Sequence, residues 1–237
     1  MKASKPSNNK IIEAMKIRLC PLRSGLVAVA FVALAALADL RAGADMVDMT
    51  GVEPWDACGG CHGLDGAGNR IKFPRIAGQN RAYIVEQLKD FRDGRRRNDG
   101  GQMQKMASEL TEADVPRVAA WFAGQSPPWP GLTMEPPGDL TRARTMALSG
   151  VDGMPACLSC HSTSALGLAD FSVPASRIAG QRDYYIAKQL RDYRDGRRDN
   201  DPNEMMRKIA RRLSDADIDG LAVFLSQNPA LHDEVVP

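Results

Sequence analysis

The sequence predicts an all-α fold that is built twice within 237 residues. The first observation is helical spacing: over residues 83–92 the apolar side chains recur every three or four positions, and Lys89, Asp90 and Arg92 take the other side. The second is that residues 87–96 recur later in the chain as residues 189–198. The third is the lack of a convincing run in which apolar and polar residues alternate, the pattern that predicts a strand.

Two segments carry the internal repeat. Residues 76–79 (IAGQ) recur as residues 178–181, and residues 87–96 (QLKDFRDGRR) recur as residues 189–198 (QLRDYRDGRR). Both recurrences lie 102 positions downstream. Each copy covers roughly 95 residues, which is enough for one small domain. The repeat therefore predicts two domains of the same fold.

A proline-rich stretch separates the two copies. Residues 127–138 contain PPWP and PPG, which exclude a helix and predict a semi-rigid linker. The predicted domains are residues 45–126 and residues 139–237.

The last helix of each copy has a recognisable start. Thr111 is followed three residues later by Asp114, and Ser214 is followed in the same way by Asp217. This pattern resembles a capping box, in which two side chains satisfy the free amides at a helix N-terminus. We expect these helices to run to about Phe122 and Leu225.

One five-residue motif occurs in both copies. Residues 58–62 are CGGCH and residues 157–161 are CLSCH, 99 positions apart. Cys-x-x-Cys-His is the attachment signature of a c-type haem. Two thiols three positions apart lie on one turn, where they can bond to the two vinyl groups of one porphyrin, and the next histidine then lies under the iron. We expect two covalently bound haem c groups, held by these residues: Cys58, Cys61 and His62; Cys157, Cys160 and His161.

Other uses of paired cysteines explain the motifs less well. A structural zinc site would require both pairs to converge on one ion and would leave the histidines unexplained. A thioredoxin-like redox pair requires a βαβ pattern, which the sequence does not show. Of the five cysteines only Cys20 lies outside the motifs, so no pair remains for a structural disulfide.

The N-terminal segment has the pattern of an export signal. Residues 26–38 form an unbroken apolar run of 13 residues, with basic residues before it and small residues after it. The pattern predicts a signal peptide over residues 1–44, cleaved after Ala44 or Ala38, and hence a periplasmic protein. The run is shorter than the roughly 20 residues that span a bilayer, and a retained anchor with peripheral membrane association is the alternative. A start at Met15 would give a signal of ordinary length.

The charge balance changes once that segment is removed. The whole chain has 31 basic and 29 acidic residues, a net charge of +2. Residues 45–237 keep 24 basic and 27 acidic residues, so the mature charge is −3. Nothing in this balance indicates a nucleic-acid partner.

Histidine is too scarce to fill all four axial positions of two haem irons. The chain has three histidines, and only His232 lies outside the motifs. Methionine is the obvious second ligand, because its soft thioether favours Fe(II) and raises the reduction potential.

The repeat narrows the choice among eleven methionines. Met103 and Met206 each lie seven residues before the leucine that precedes the last helix of their copy. They are the favoured distal ligands, and Met106 and Met205 remain the alternatives.

With these residues in place, the chain resembles the diheme class I cytochromes of the cytochrome c4 family over residues 55–228. The resemblance is carried by the following residues: residues 58–63, residues 73–79, Tyr83, Gln87, Leu88, residues 93–95, Met103, Leu110 and Thr111; residues 154–161, Pro174, residues 177–181, Tyr184, Gln189, Leu190, Met206, Leu213 and Ser214.

The resemblance implies two tandem class I cytochrome c domains, each wrapped around a covalently attached haem c. It places Met103 and Met206 at the family's distal-ligand position. It also implies that a proline carbonyl after each motif, from Pro74 and Pro174, accepts a hydrogen bond from the proximal imidazole.

Two departures from the family pattern stand out. The family has an N-terminal helix before the first motif, whereas residues 45–57 are short and contain Gly51 and Pro54, so we expect either less cover over the first haem or an abbreviated helix. The second copy has also gained three residues before Arg177, which shifts Pro174 relative to the repeated IAGQ segment.

The implied function is electron transfer without catalysis. Such a carrier passes single electrons from a respiratory complex or dehydrogenase to a terminal oxidase or reductase. One alternative is the diheme subunit of a periplasmic dehydrogenase of the flavocytochrome type. Another is a diheme peroxidase, which requires an open distal site and acid–base residues.

Two arginine clusters, residues 95–97 and residues 197–198, follow the repeated helix. We expect them to be solvated side chains at a helix end. The alternative is that they neutralise haem propionates or contact an acidic partner.

Overall fold

The computed structural model describes residues 51–69, 72–129, 131–161 and 175–227. Nine α-helices lie in these ranges, in this order: α1 (Asp56–His62), α2 (Arg81–Arg92), α3 (Gln102–Ser108), α4 (Asp114–Ala123), α5 (Thr141–Leu148), α6 (Leu158–His161), α7 (Asp183–Arg194), α8 (Met205–Ala210) and α9 (Asp215–Gln227). A 3₁₀ turn, Pro202–Glu204, leads into α8. The extended pairing in these ranges is one isolated bridge between Val151 and Met154. The all-α prediction is confirmed.

Several expectations concern residues outside the described ranges. They are the signal peptide 1–44 with both cleavage positions, Cys20, Pro174 and His232. Among the helices that are described, none is long and apolar enough to cross a membrane.

The predicted helix starts are confirmed. The amide of Thr111 donates to Asp114 Oδ2 (3.1 Å), and the amide of Asp114 donates back to Thr111 Oγ1 (3.2 Å). Ser214 and Asp217 make the same exchange, at 3.1 Å in both directions. An aspartate thus takes the place of the usual glutamate in the capping box, because it reaches back to the amide three residues earlier.

The buried apolar side chains form two clusters. In the first cluster, α2 packs against α3 and α4, and in the second α9 packs against α5 and α7. Phe122 of α4 and Ile218 of α9 are fully buried in their respective clusters. The clusters lie on either side of the proline-rich stretch in sequence, while the described residues from Val52 onward belong to one compact unit. The boundaries at residues 126 and 139 stay a prediction.

Hydrogen bonds to Asp183 join the proline-rich stretch to the second copy. The backbone amides of Thr133 and Met134 both donate to Oδ2 of Asp183, at 2.6 Å each. Asp183 is fully buried at the start of α7. Burial alone would raise the pKa of Asp183, but the hydrogen bonds from Thr133, Met134 and Tyr184 outweigh it and hold that pKa below its usual value.

The two copies contact each other through the glutamine of the repeated IAGQ segment. Gln181 accepts from the amide of Arg75 (2.9 Å) and donates to its carbonyl (2.7 Å). Gln79 does the same with Arg177, at 2.7 and 3.0 Å. Each glutamine therefore pairs with the backbone of the other copy, and the two pairings are equivalent under the 102-residue repeat.

A second reciprocal contact is made by two buried arginines. Arg96 donates to Gln87 Oε1 of its own copy (2.8 Å) and to Gln189 Oε1 of the other copy (3.1 Å). Arg198 donates to the same two oxygens, at 2.7 Å to Gln189 and 2.9 Å to Gln87. Arg96 and Arg198 are each 4 % exposed. The expectation of solvated arginines is therefore wrong at these two positions.

Tyrosines complete this contact. Arg198 donates to the hydroxyl of Tyr83 (3.0 Å), and Arg96 donates to that of Tyr185 (2.8 Å). Tyr185 is thus the counterpart of Tyr83, and the neighbouring Tyr184, which carried the family resemblance, is half exposed. Burial alone would raise the pKa of the Tyr83 hydroxyl, but the charges of Arg198 and Arg96 bring it below its usual value.

The remaining arginines of the clusters are exposed, as expected. Arg95 forms an ion pair with Asp90 (2.7 Å), and Arg197 forms one with Asp192 (2.8 Å). Each cluster thus contains one buried arginine and at least one exposed arginine.

Replacing Arg198 with methionine tests this contact. Arg198→Met removes hydrogen bonds to Asn200, Gln189, Tyr83 and Gln87, and takes one donor away from each of the buried glutamine oxygens. We expect a loss of about 2–4 kcal/mol in the free energy of unfolding, measured by denaturant unfolding of the holoprotein. The matched control is the exposed neighbour, Arg197→Met, which should cost less than about 1 kcal/mol. Equal losses in both variants would contradict the assignment.

Candidate haem sites

The first motif lies on a short helix. α1 carries Cys58 and Cys61 three positions apart, so both side chains leave the same side of the helix. Both are free cysteines, and Cys61 is exposed. Burial raises the pKa of the Cys58 thiol to about 11. Before haem attachment, Cys58 is therefore a neutral thiol near pH 7.

The histidine of the first motif is buried and held by the backbone. His62 is 6 % exposed, and its Nδ1 donates to the carbonyl oxygen of Pro74 at 2.9 Å. This is the contact that the family resemblance implied. Because Nδ1 is engaged, Nε2 is the ring nitrogen left to bind a metal. Burial lowers the pKa of His62, which favours the neutral imidazole that a ligand requires.

A glycine makes the close approach around Pro74 feasible. Gly68 has φ +74°, and a Cβ built there would lie 2.6 Å from the oxygen of Phe73 and 2.7 Å from that of Pro74. The amide of Gly68 also donates to the carbonyl of His62 at 2.7 Å. A side chain at this position would displace the carbonyl that His62 contacts.

The second motif has the same arrangement with a different acceptor. Nδ1 of His161, at the end of α6, donates to the carbonyl of Ser176 at 2.7 Å. The expectation that Pro174 provides this carbonyl is wrong. Ser176 lies 102 positions after Pro74, because the three-residue gain lies upstream of it. Burial also lowers the pKa of His161 and raises that of Cys157 to about 11.

The two motifs do not converge on a shared ion in the part of the chain that is described. Within those ranges no group of three or more His, Cys, Asp or Glu side chains could hold a metal. Each motif instead presents two free thiols and one imidazole whose Nδ1 is engaged. These donors fit a covalently attached haem at each motif.

The favoured methionines lie on equivalent helices. Met103 lies on α3 and packs against the first hydrophobic cluster, and Met206 lies half-buried on α8. Four residues after each comes a fully buried alanine, Ala107 and Ala210. This register matches Met103 with Met206.

The same register separates the two alternative methionines. It pairs Met106 with Ile209, which is not a ligand, and Met205 with Gln102. The assignment of distal ligands stays a prediction, and the register supports Met103 and Met206.

The surfaces beside the two sites differ. Next to α1, Trp55 and Trp121 stack with centroids 4.7 Å apart, and Trp121 is 38 % exposed. Leu64, whose carbonyl accepts from Trp121 Nε1 (3.4 Å), is 66 % exposed. The counterpart of Trp121 in the second copy, Phe224, is 7 % exposed and packs in a cluster with side chains of α5. The apolar surface is therefore less covered on the first side.

The chain is similar to proteins that are described as cytochromes. The Cytochrome c family model matches residues 49–126. Cytochrome c4 of Pseudomonas aeruginosa is 36 % identical over 171 residues, which cover 71 % of this chain and 82 % of that protein. The chain belongs to the cytochrome c4 family.

Two further proteins are similar over a comparable span. The "Thiosulfate dehydrogenase electron acceptor" of Thiomonas intermedia is 34 % identical over 176 residues, covering 73 % of this chain and 79 % of that protein. The crystal structure of reduced recombinant cytochrome c4 from Pseudomonas stutzeri superimposes with a TM-score of 0.59 at 32 % identity, covering 73 % of this chain and 94 % of that one.

Membership decides the class of activity. As a cytochrome c4, the chain carries two covalently bound haem c groups and has a class I cytochrome fold in each copy. It is an electron-transfer protein and an electron carrier rather than an enzyme. Its partners are redox proteins.

Three features of the sites were missed at the sequence level. They are the carbonyl of Ser176, the glutamine pairs across the copies and the buried arginines. The offset of 102 from Pro74 would have found Ser176. No signal distinguished Arg96 from its exposed neighbours, because all belong to one run of arginines.

Replacing Gly68 with alanine tests the proximal contact of the first site. The new Cβ displaces the carbonyls of Phe73 and Pro74, and weakens the hydrogen bond from His62. A weaker bond makes the imidazole a poorer electron donor, so the reduction potential of the first haem should rise. A redox titration that resolves the two haems measures this. Gly138→Ala, with no atom within 4 Å of the new Cβ, is the control. Unchanged potentials in Gly68→Ala would show that the contact does not tune the iron.

Proposed function

We propose that this cytochrome is an exported periplasmic carrier that passes single electrons from a respiratory complex or dehydrogenase to a terminal oxidase or reductase. The observation that carries the proposal is the equivalent pair of imidazoles, His62 and His161, each engaged at Nδ1 by a backbone carbonyl. Two matched sites in one compact unit suit a carrier that stores two electrons.

We propose the following roles for the site residues. Cys58 and Cys61 attach the first haem, and Cys157 and Cys160 attach the second. His62 and His161 are the proximal ligands, and Met103 and Met206 are the distal ligands. When bound, each haem supplies an iron that alternates between Fe(II) and Fe(III). The protein holds the ligands, restricts access and sets the potential.

Export is supported by the chemistry of the sites and by the N-terminal pattern. The signal peptide predicted over residues 1–44 would place the chain in the compartment where haem c is attached. We propose that the mature chain begins after Ala44 or Ala38.

The distal ligands give the decisive experiment. The oxidised protein should contain two haems per chain by pyridine haemochrome assay and show the methionine–Fe(III) charge-transfer band at full strength. Met103→Ala and Met206→Ala should each remove half of that band, because each takes a ligand from one iron. Met106→Leu and Met205→Leu are the matched controls and should leave the band intact. Loss of the band in a control variant would transfer the ligand role to that residue.

A second candidate function is acceptance of electrons from a dehydrogenase that oxidises a sulfur compound. The relative from Thiomonas intermedia is described as the electron acceptor of a thiosulfate dehydrogenase. The exposed side chains Trp121 and Leu64 beside α1 offer a contact surface for such a partner.

This second function has a direct kinetic test. A purified thiosulfate dehydrogenase with thiosulfate should reduce the oxidised cytochrome rapidly, followed by its α-band in a stopped-flow instrument. Leu64→Asp should slow that reduction at least tenfold, because a charge is placed in the apolar contact. Leu132→Asp, a half-buried position in the linker, is the control. Reduction no faster than by thiosulfate alone would leave the respiratory carrier as the function.

A further inference from the structure

A polar cleft lies where the repeated IAGQ segments of the two copies meet. Its volume is about 260 Å³. Its walls come from both copies and comprise the following residues: Arg75, Ala77, Gly78, Gln79, Gln125, Ser126, Arg177, Ala179 and Gln181. Two of these residues are arginines related by the 102-residue repeat, and the lining contains no aspartate or glutamate.

The two arginines of the cleft contact backbone oxygens rather than carboxylates. Arg75 donates to the carbonyls of Pro128 (3.1 Å) and Pro127 (2.9 Å), and Arg177 donates to that of Gly78 (2.7 Å). Carbonyls are dipoles and do not neutralise a guanidinium charge. In the described part of the chain, neither arginine forms an ion pair, whereas many arginines elsewhere in it do.

Both guanidinium groups are partly withdrawn from water. The Nε of Arg177 is buried and has no hydrogen-bond partner among the described residues. Burial lowers the pKa of Arg75, and the charge of Asp65 opposes this shift. Two partly desolvated cations without an ion pair to a described side chain are costly, and an anion between them would lower that cost.

We propose that this cleft binds a small tetrahedral oxyanion of the phosphate or sulfate type between Arg75 and Arg177. The guanidinium groups supply the charge and planar donors, which match the oxygens of such an anion. Ser126, exposed at the rim, adds a hydroxyl donor. The glutamines at positions 79 and 181 keep their pairings with the backbone and hold both arginines in place.

The position of the cleft links the anion to both haem sites, and this part rests on the proposed function. Arg75 directly follows Pro74, whose carbonyl His62 contacts, and Arg177 directly follows Ser176, whose carbonyl His161 contacts. A bound anion therefore contacts residues that directly follow the acceptors of both proximal hydrogen bonds. Negative charge there favours Fe(III), so binding lowers both reduction potentials together. By linkage, the oxidised protein binds the anion more tightly than the reduced protein.

The binding experiment uses the oxidised holoprotein with inorganic phosphate and sulfate as probes. Isothermal titration calorimetry is run at constant ionic strength, with chloride replacing the divalent anion. We expect saturable binding with one site per chain, at least tenfold weaker in Arg177→Gln and partly restored in Arg177→Lys. Arg144→Gln, an exposed arginine outside the cleft, is the matched control. Absence of saturable binding, or equal binding in Arg177→Gln and the wild type, overturns the proposal. The proposal is also overturned if chloride at equal concentration competes with phosphate, because the measured heat would then reflect charge screening rather than a specific site.

The redox experiment tests the link to the haems. Both potentials of the wild type should fall on saturation with phosphate, and neither should move in Arg177→Gln. Saturable binding with unmoved potentials overturns the link while the anion site stands. The haem count and the methionine charge-transfer band are recorded on the same samples. Fewer than two haems per chain, or a missing band, would contradict the proposed function and would leave the calorimetric result unchanged.

Discussion

The structure depends on two buried guanidinium groups whose hydrogen bonds neither copy can supply alone. Arg96 and Arg198 are buried, and a buried cation must meet its hydrogen-bonding capacity within the protein. Each arginine reaches a glutamine oxygen of its own copy and a second glutamine and a tyrosine of the other. Separating the copies would therefore leave arginine, glutamine and tyrosine side chains without hydrogen-bond partners in the protein on both surfaces. A purely apolar contact would not impose this geometry, because burial of apolar area is non-directional.

The contact between the copies helps to position the haem sites. The helices α2 and α7 carry its glutamines, and the repeated IAGQ segments that precede them are paired across the copies by Gln79 and Gln181. The carbonyls that receive the two proximal imidazoles come just before those segments. The proximal hydrogen bonds and the contact between the copies are thus parts of one continuous backbone path. This is why a residue such as Arg75 belongs to both.

Much of the fold follows from the sequence because its signals are local. The capping exchange of Thr111 with Asp114, and the end of α2 at the turn containing Gly94, depend on residues within a few positions. The motif cysteines and histidines follow from covalent chemistry at fixed spacing. The contact between the copies does not, because it joins residues about 90 to 115 positions apart. A run of arginines gives no indication of which member lies inside. The assignment of Pro174 failed for a different reason: the acceptor is a backbone carbonyl, so its register matters and its side chain does not.

The reciprocal contact has the form of an isologous interface within a single polypeptide. The patch on one copy contacts the equivalent patch on the other, as in a two-fold homodimer. The proline-rich segment makes this association intramolecular, so it takes place at a high effective concentration. Once tethered, the copies no longer need to be identical. Outside the contact they have diverged, as the exposed Trp121 and the buried Phe224 show. Within the contact, a substitution in one copy removes a hydrogen-bond partner from the other copy. The sequence of this surface is therefore constrained in both copies together.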